Sequence, residues 1–304
     1  MSADIVVVGS YNLDLVLTVE RLPAPGETCL SLSRGRSPGG KGSNQAVQAA
    51  RCGARVAMLA AIGADPAGSE ALQVWADAGI DGSSAPRLEV HPTGMAVILV
   101  EAGGENSIVV DAGANARLSP AHIEAATPLI AGARLVLAQL ETPWPATRRA
   151  FEIARASGVT TALNAAPARP DLEEALLALT DILFVNEIEA AALAGVSDPM
   201  AAGERLLAQV GQAVVVTRGG RGAALFRRDE TLVAQGAYQV DPVDTTGAGD
   251  AFIGAFVAEL VASGDAERAM GRGQAAGALA CASLGAVNSF ADADAIAAFE
   301  RAHA

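Results

Sequence analysis

Leu135-Val-Leu-Ala138, then Pro145-Ala-Thr-Arg-Arg-Ala-Phe-Glu-Ile-Ala-Arg-Ala-Ser157, then Gly158, then Thr160-Thr-Ala-Leu163: this stretch spells out a strand, a helix with its terminator, and a second strand. The two short runs are apolar without alternation, the mark of strands covered on both faces, as parallel strands are. The segment between them reads as a helix, and Gly158 falls where a helix end wants a left-handed residue. A strand, a crossover helix and a parallel strand make one unit of a doubly wound sheet. The same kind of run recurs at Ile5–Val8, 56–61, 182–185 and 214–217, and helical stretches at 44–52 and 69–78 close at Gly53 and Gly79. The predicted fold is one α/β domain over residues 1–304, a doubly wound and mostly parallel sheet flanked by helices. No fixed repeat length appears, which excludes a solenoid.

Two places break this rhythm. Residues 14–20 and 29–35 alternate weakly and are joined by Leu22-Pro-Ala-Pro-Gly26. Residues 95–100 and 107–111 form a hairpin pattern around Ala102-Gly-Gly-Glu-Asn106. Four strands without intervening helices predict a small second sheet, built from about 12–38 and 93–112, and covering a site is the natural use of such a flap. After about Asp244 the chain turns helical, in three segments ending at His303.

Composition narrows the function. With 304 residues, 51% of them hydrophobic, the chain has the apolar content for a sizeable core. A net charge of −13 argues against a non-specific grip on nucleic acid, so a bound phosphate must be held locally, by backbone dipoles or a metal. Of 21 basic residues one is lysine, Lys41, and it sits in a glycine cluster. Three widely spaced cysteines, Cys29, Cys52 and Cys281, fit a reduced cytoplasmic protein. Residues 1–10 have no basic region ahead of their short apolar run, so no signal peptide is expected. The uncharged stretch 273–291 reads as a buried helix and a loop, with no membrane span. His91, His122 and His303 are isolated and read as surface groups, Trp75 and Trp144 as packing residues.

Two glycine clusters carry the chemistry. Gly35-Arg-Ser-Pro-Gly-Gly-Lys-Gly-Ser-Asn44 superficially fits a P-loop, but Gly42 stands where a P-loop needs Ser or Thr, and residues 34–38 are not a buried strand. What remains is a glycine turn entering a helix near Ser43. Its N–H groups and the Lys41 ammonium suit an oxygen-rich ligand, with Gly39 and Gly40 allowing close backbone approach. The second cluster, Val243-Asp-Thr-Thr-Gly-Ala-Gly-Asp-Ala-Phe252, leads into a helix over 251–261. Gly247, Ala248 and Gly249 put successive N–H groups at its start, an anion hole, and Asp250 stands beside them. A hole for a transferring phosphoryl group next to a carboxylate that accepts a hydroxyl proton is an apparatus for phosphorylating an alcohol.

Gly39-Gly-Lys-Gly-Ser-Asn-Gln-Ala46 resembles the first signature of the PfkB carbohydrate kinase family, and Asp244-Thr-Thr-Gly-Ala-Gly-Asp250 its second. The resemblance runs through most of the chain, including Gly9-Ser-Tyr-Asn-Leu-Asp14, Gly104-Glu-Asn106, Gly113-Ala-Asn115, Asn164-Ala-Ala-Pro167, Asn186-Glu-Ile-Glu189 and Thr217-Arg-Gly-Gly-Arg-Gly222. It is nearest to the ribose-phosphorylating members. The resemblance implies that Asn12, Asp14, Gly40, Lys41, Asn44 and Glu141 bind the sugar and that Asp250 is the catalytic base. It likewise implies that Gly247, Ala248 and Gly249 form the anion hole. Asn186, Thr217, Gly219, Arg221, Gly222, Gly249 and Gln274 match ATP-binding positions, although Gln274 departs from the family's usual residue. Glu189, with Asn186, matches positions that steer magnesium through water. Asp244, Thr246, Ala280, Ser283, Gly285 and Ser289 match ligands of a monovalent cation, usually potassium.

The expected activity is ATP-dependent phosphorylation of a free sugar's primary hydroxyl, with D-ribose as acceptor. The expected assembly is a homodimer through the small sheet, without nucleic acid or membrane. Open alternatives are another acceptor (a nucleoside, 2-deoxyribose or a keto-sugar) and a non-catalytic sugar-binding regulator on the same fold.

Overall fold

Ile5–Val8 lies inside an eight-stranded sheet, with Val56–Leu59 on one side and Leu135–Ala138 on the other, all three parallel. Thr160–Asn164, Ile182–Asn186 and Ala213–Thr217 extend the parallel array in chain order. Ala223–Arg227 and Val233–Gln235 close it antiparallel, two strands the sequence patterns did not mark. The computed structural model describes residues 3–303 except 102, 104, 170, 171 and 229–231.

The unalternating apolar runs follow from burial on both faces. Ile5, Val7, Met58, Leu135 and Leu137 pack with Phe256 and Val257, while Val6, Val8, Leu59, Val136 and Ala138 pack with Ile123, Phe151 and Ala154. The predicted helices are present with ends shifted by a few residues: Lys41–Arg51, Pro66–Asp77, Trp144–Ala156 and Ala248–Ser263. Among the described residues no helix is long and apolar enough to cross a membrane. Ala248–Ser263 is apolar almost all round because it is buried.

From Ile5–Val8 the chain runs to the edge strand Val56–Leu59, then returns across it to Leu135–Ala138. Where strand order reverses like this, a crevice opens beyond the carboxyl ends of the strands. Ser10, Gln139, Glu141, Asn164, Asn186 and Thr217 all stand at or just past those ends.

A separate four-stranded sheet pairs Ser33–Gly39, Asn12–Val19, Gly94–Glu101 and Asn106–Asp111 in that order. The strand expected at 29–35 lies instead at Ser33–Gly39, and Leu30 and Leu32 are exposed beside it. Weak alternation misplaced it, since a polar edge strand takes its register from its partner and tolerates Pro38. Ala102 and Gly104, in the expected turn, lie outside the described residues. The register puts Leu15, Val97 and Val109 on one face and Asp14, Ala96 and Val110 on the other.

Candidate active site

The first glycine cluster is shaped by the protein's own chain. A Cβ on Gly39 would fall 2.2 Å from the Asp14 carboxylate. On Gly40, whose φ is +85°, it would sit 2.8 Å from the Asn12 nitrogen, and on Gly42 it would sit 2.5 Å from that of Ser10. The missing side chains let the helix entrance press against the segment 9–14. That contact gathers the side chains. Helix Lys41–Arg51 begins at Lys41, earlier than expected, and the Lys41 N–H donates to Glu141 Oε2 at 2.9 Å. The same oxygen accepts from the Ser10 hydroxyl. A carboxylate at a helix start satisfies orphan N–H groups and complements the dipole.

Asn12 is oriented by Asn115, whose Nδ2 donates to Asn12 Oδ1 at 2.8 Å and to the Tyr11 carbonyl at 2.9 Å. The Tyr11 N–H donates to Asn115 Oδ1. Burial, then the Glu141 and Asp250 charges, push the Asp14 carboxyl up to about 7. Asp250, with help from Glu141 and Glu189 and against burial, holds the Lys41 ammonium above its ordinary range. Lys41 is thus charged at any physiological pH.

Asp250 reaches the same place from the far end of the chain. Gly254, one turn along its helix, has no side chain where a Cβ would meet the Gln45 carbonyl at 2.6 Å, so the helices Lys41–Arg51 and Ala248–Ser263 approach closely. Asp250 is 7% exposed and accepts from Asn44 Nδ2 at 3.0 Å and Gln45 Nε2 at 2.9 Å. The buried Asn44 Oδ1 has no hydrogen-bond partner among the described residues.

Helix Ala248–Ser263 starts at Ala248, with Gly247 at φ +78° as its cap. The Ala248 N–H donates to the Thr245 carbonyl at 3.2 Å, which removes it from the expected anion hole. The N–H groups of Gly247, Gly249 and Asp250 have no acceptor among the described residues. In front of them is a cavity of about 230 Å³ that Lys41, Asn164, Asn186, Glu189, Gly247 and Asp250 help to line. A second cavity, about 340 Å³, lies among Gly219, Gly222, Ala237, Tyr238, Phe252 and Gln274. Thr217, Thr245 and Gly249 belong to both walls, so the cavities meet at Gly249.

The remaining expected residues divide. Gln274 lines the second cavity and donates to Gln235 Oε1 at 3.0 Å. Arg221 is exposed, and its guanidinium donates to the Glu187 carboxylate at 2.6 Å. Asn186 and Glu189 form a reciprocal helix cap, each side chain accepting from the other's N–H at 2.8 Å. Burial raises the Glu189 carboxyl against that hydrogen bond and the Lys41 charge.

Asp244 accepts from the Thr246 and Gly285 N–H groups, both at 2.9 Å, and these outweigh burial to keep its carboxyl below the usual range. The Val243 N–H donates to the Cys281 carbonyl, so 243–246 and 281–285 lie side by side, with Ala280 and Ser283 in the same turn. The Ser289 hydroxyl donates to the Ala286 carbonyl at 2.7 Å, leaving only its lone pairs for another partner. One carboxylate, held below its usual range, stands with hydroxyl and carbonyl oxygens, an all-oxygen donor set of the kind hard cations take. Among the described residues, no cluster of three or more His, Cys, Asp or Glu is arranged to hold a metal. A magnesium ion, which favours phosphates and water with one or two carboxylates, fits the cavity beside Glu189 and Asp250.

A family model described as pfkB family carbohydrate kinase matches residues 2–293. The chain belongs to that family. This kinase is 40% identical over 271 residues to the ribokinase of Staphylococcus aureus, covering 87% of this chain and 88% of that one. It is 38% identical over 294 residues to the ribokinase of Haemophilus influenzae, covering 95% of both. Its fold superposes on a solved structure of Arabidopsis thaliana ribokinase with ribose and ATP at a TM-score of 0.91, with 29% identity and 99% of each chain covered. The kinase is an ATP-dependent sugar kinase. Ser10, Gln45 and Thr245, inside the motifs but given no role there, and Tyr238, outside them, also bond to these side chains or line the cavities. Buried amides and loop walls leave no periodic signature.

Proposed function

We propose that the chain is a ribokinase, moving the γ-phosphoryl group of ATP to the primary hydroxyl of D-ribose to give D-ribose 5-phosphate. The observation that carries this reading is the junction at Gly249, where the two cavities meet beside unpaired N–H groups, with Asp250 the next residue.

The sugar lies toward Asn12, Asp14, Gly40, Lys41, Asn44 and Glu141, and ATP enters along Thr217, Gly219, Gly222 and Gln274. A neutral polyol needs many acceptors and donors at once, and Asn44 Oδ1, buried and unpartnered, is an acceptor ready for a hydroxyl. A nucleoside would want an aromatic wall. The nearby Tyr11 ring is buried against Trp75, with centroids 5.9 Å apart. Asp250 accepts the hydroxyl proton as the sugar oxygen bonds to the γ-phosphorus and the bond to the leaving ADP oxygen breaks. The N–H groups of Gly247, Gly249 and Asp250 meet the developing negative charge. Magnesium arriving with ATP would supply charge neutralisation, and Glu189 and Asn186 would hold it through water. Potassium at Asp244, Thr246, Ala280, Ser283, Gly285 and Ser289 would brace the loop under Gly247, whose missing Cβ would lie 2.8 Å from that of Ala286.

The small sheet closes over the sugar with its Asp14 face and excludes water. Its other face and its exposed edge strand Asn106–Asp111 serve a homodimer. The three free cysteines fit a reducing cytoplasm. ADP release measured with ribose, 2-deoxyribose, fructose, adenosine and cytidine, each with potassium or sodium, tests these points together. Ribose should give the highest kcat/KM, and potassium the faster rate. Release with adenosine but not ribose would refute the acceptor, and none with any acceptor would favour a regulator.

Sugar binding should also follow pH. Asp14, at about 7, is protonated below that value in the empty site and ionised above it. A hydroxyl donating to it favours the ionised form, so ribose affinity should rise as the pH climbs to about 7 and level off above it, by about tenfold at most between pH 6 and 8. KM for ribose across this range reads the effect, and Asp14→Asn should flatten it.

A further inference from the structure

Gln45 is fully buried beside Asp250, and its one amide serves three partners. Its Nε2 donates to Asp250 Oδ1 at 2.9 Å and to Asn164 Oδ1 at 3.1 Å, while its Oε1 accepts from Gln139 Nε2 at 2.6 Å. The carboxylate fixes which way the amide faces, because only its nitrogen can donate. Gln139 Nε2, donating to Gln45 Oε1, agrees with that orientation. One oxygen of Asp250 is thereby held from the rear, and Asn44 holds the other.

We infer that Gln45 is a positioning residue for the phosphoryl transfer: it fixes the Asp250 carboxylate rotamer, so that the base meets the sugar hydroxyl in one geometry. The inference rests on the reading of Asp250 as the base. A neutral donor at hydrogen-bond distance offsets part of the cost of burying a carboxylate. Lys41 on the same helix, Asp14 on the small sheet and Glu189 on helix Glu187–Ala194 also act on Asp250, and they are common to every variant compared below.

Gln45→Met should lower kcat about 10- to 100-fold, the loss expected for one buried hydrogen bond to a charged group, with KM for ribose within about threefold. Gln45→Glu preserves shape but sets a carboxylate against Asp250. It should move the acid limb of the kcat–pH profile up by about one unit. Gln139→Glu reaches the same end indirectly, by accepting from Gln45 and turning its oxygen toward Asp250. It should shift the limb in the same direction even if neither Gln45 variant folds. Folded variants with wild-type kcat and an unmoved acid limb would overturn the inference. So would a fall in kcat with the limb unmoved, which describes a merely structural glutamine. An inactive wild type, or an active Asp250→Asn, would instead overturn the reading on which this rests.

Discussion

Asp250→Asn should turn over ribose about 10²- to 10⁴-fold more slowly than the parent, the range a positioned general base contributes. Ribose binding should be nearly unchanged, because the sugar's other hydroxyls keep Asn12, Asp14, Lys41, Asn44 and Glu141. The substitution keeps the volume but leaves one acceptor where two were used, by Asn44 and Gln45. One of those donors loses its partner, at a cost of about 1–3 kcal/mol in stability. Single-turnover ADP formation and calorimetric ribose titration separate the two effects. The loose transition state of phosphoryl transfer puts much of the catalysis into positioning, so residual turnover belongs to the N–H groups and the bound metal. Turnover equal to the parent's would remove Asp250 from the mechanism.

The second large effect concerns a residue with no side chain. A Cβ on Gly249 would meet nothing within 4 Å. The position is helical, so leucine there costs the fold little and improves helix propensity. Yet Gly249 lines both cavities, and on the proposed mechanism a leucine side chain would stand in the path of the phosphates. Gly249→Leu should melt at or slightly above the parent's temperature while losing at least about 10²-fold in kcat/KM, the scale of a lost anion-hole donor. Melting curves beside ADP-release rates check it. An active Gly249→Leu would mean that phosphate takes another path.

What the sequence disclosed, and what it withheld, follows from the range of each interaction. Parallel strands advertise themselves because both faces are buried, and Leu135-Val-Leu-Ala138 needs no partner to be read. Helix ends were legible through Gly53, Gly79 and Gly158, all at positive φ. Ser33–Gly39 was misplaced because its pairing with Asn12–Val19, not its own alternation, sets its limits. The acid and the glycines of the second cluster were visible as a local motif, but the Ala248 N–H bond to Thr245 depends on the turn's geometry. Arg221 was expected at the nucleotide, and its capture by Glu187 needs a contact 34 residues away. Gln45 lay inside a recognised motif without a role, since its importance comes from Asn164 and Asp250, 119 and 205 residues distant.

The company kept by Lys41 bears on how the reaction ends. One ammonium stands among the charges of Asp250, Glu141 and Glu189, with Asp14 beside them. An uncharged sugar enters this setting freely, offering hydroxyls to acceptors. It leaves as an ester carrying roughly two negative charges, the usual state of a phosphate monoester above pH 6. With ADP and its metal departing, Lys41 and the N–H groups at the helix start are left to offset those charges, and the acids that welcomed the polyol repel its ester. The acids that line the sugar side of the site therefore favour release of the sugar phosphate over its retention.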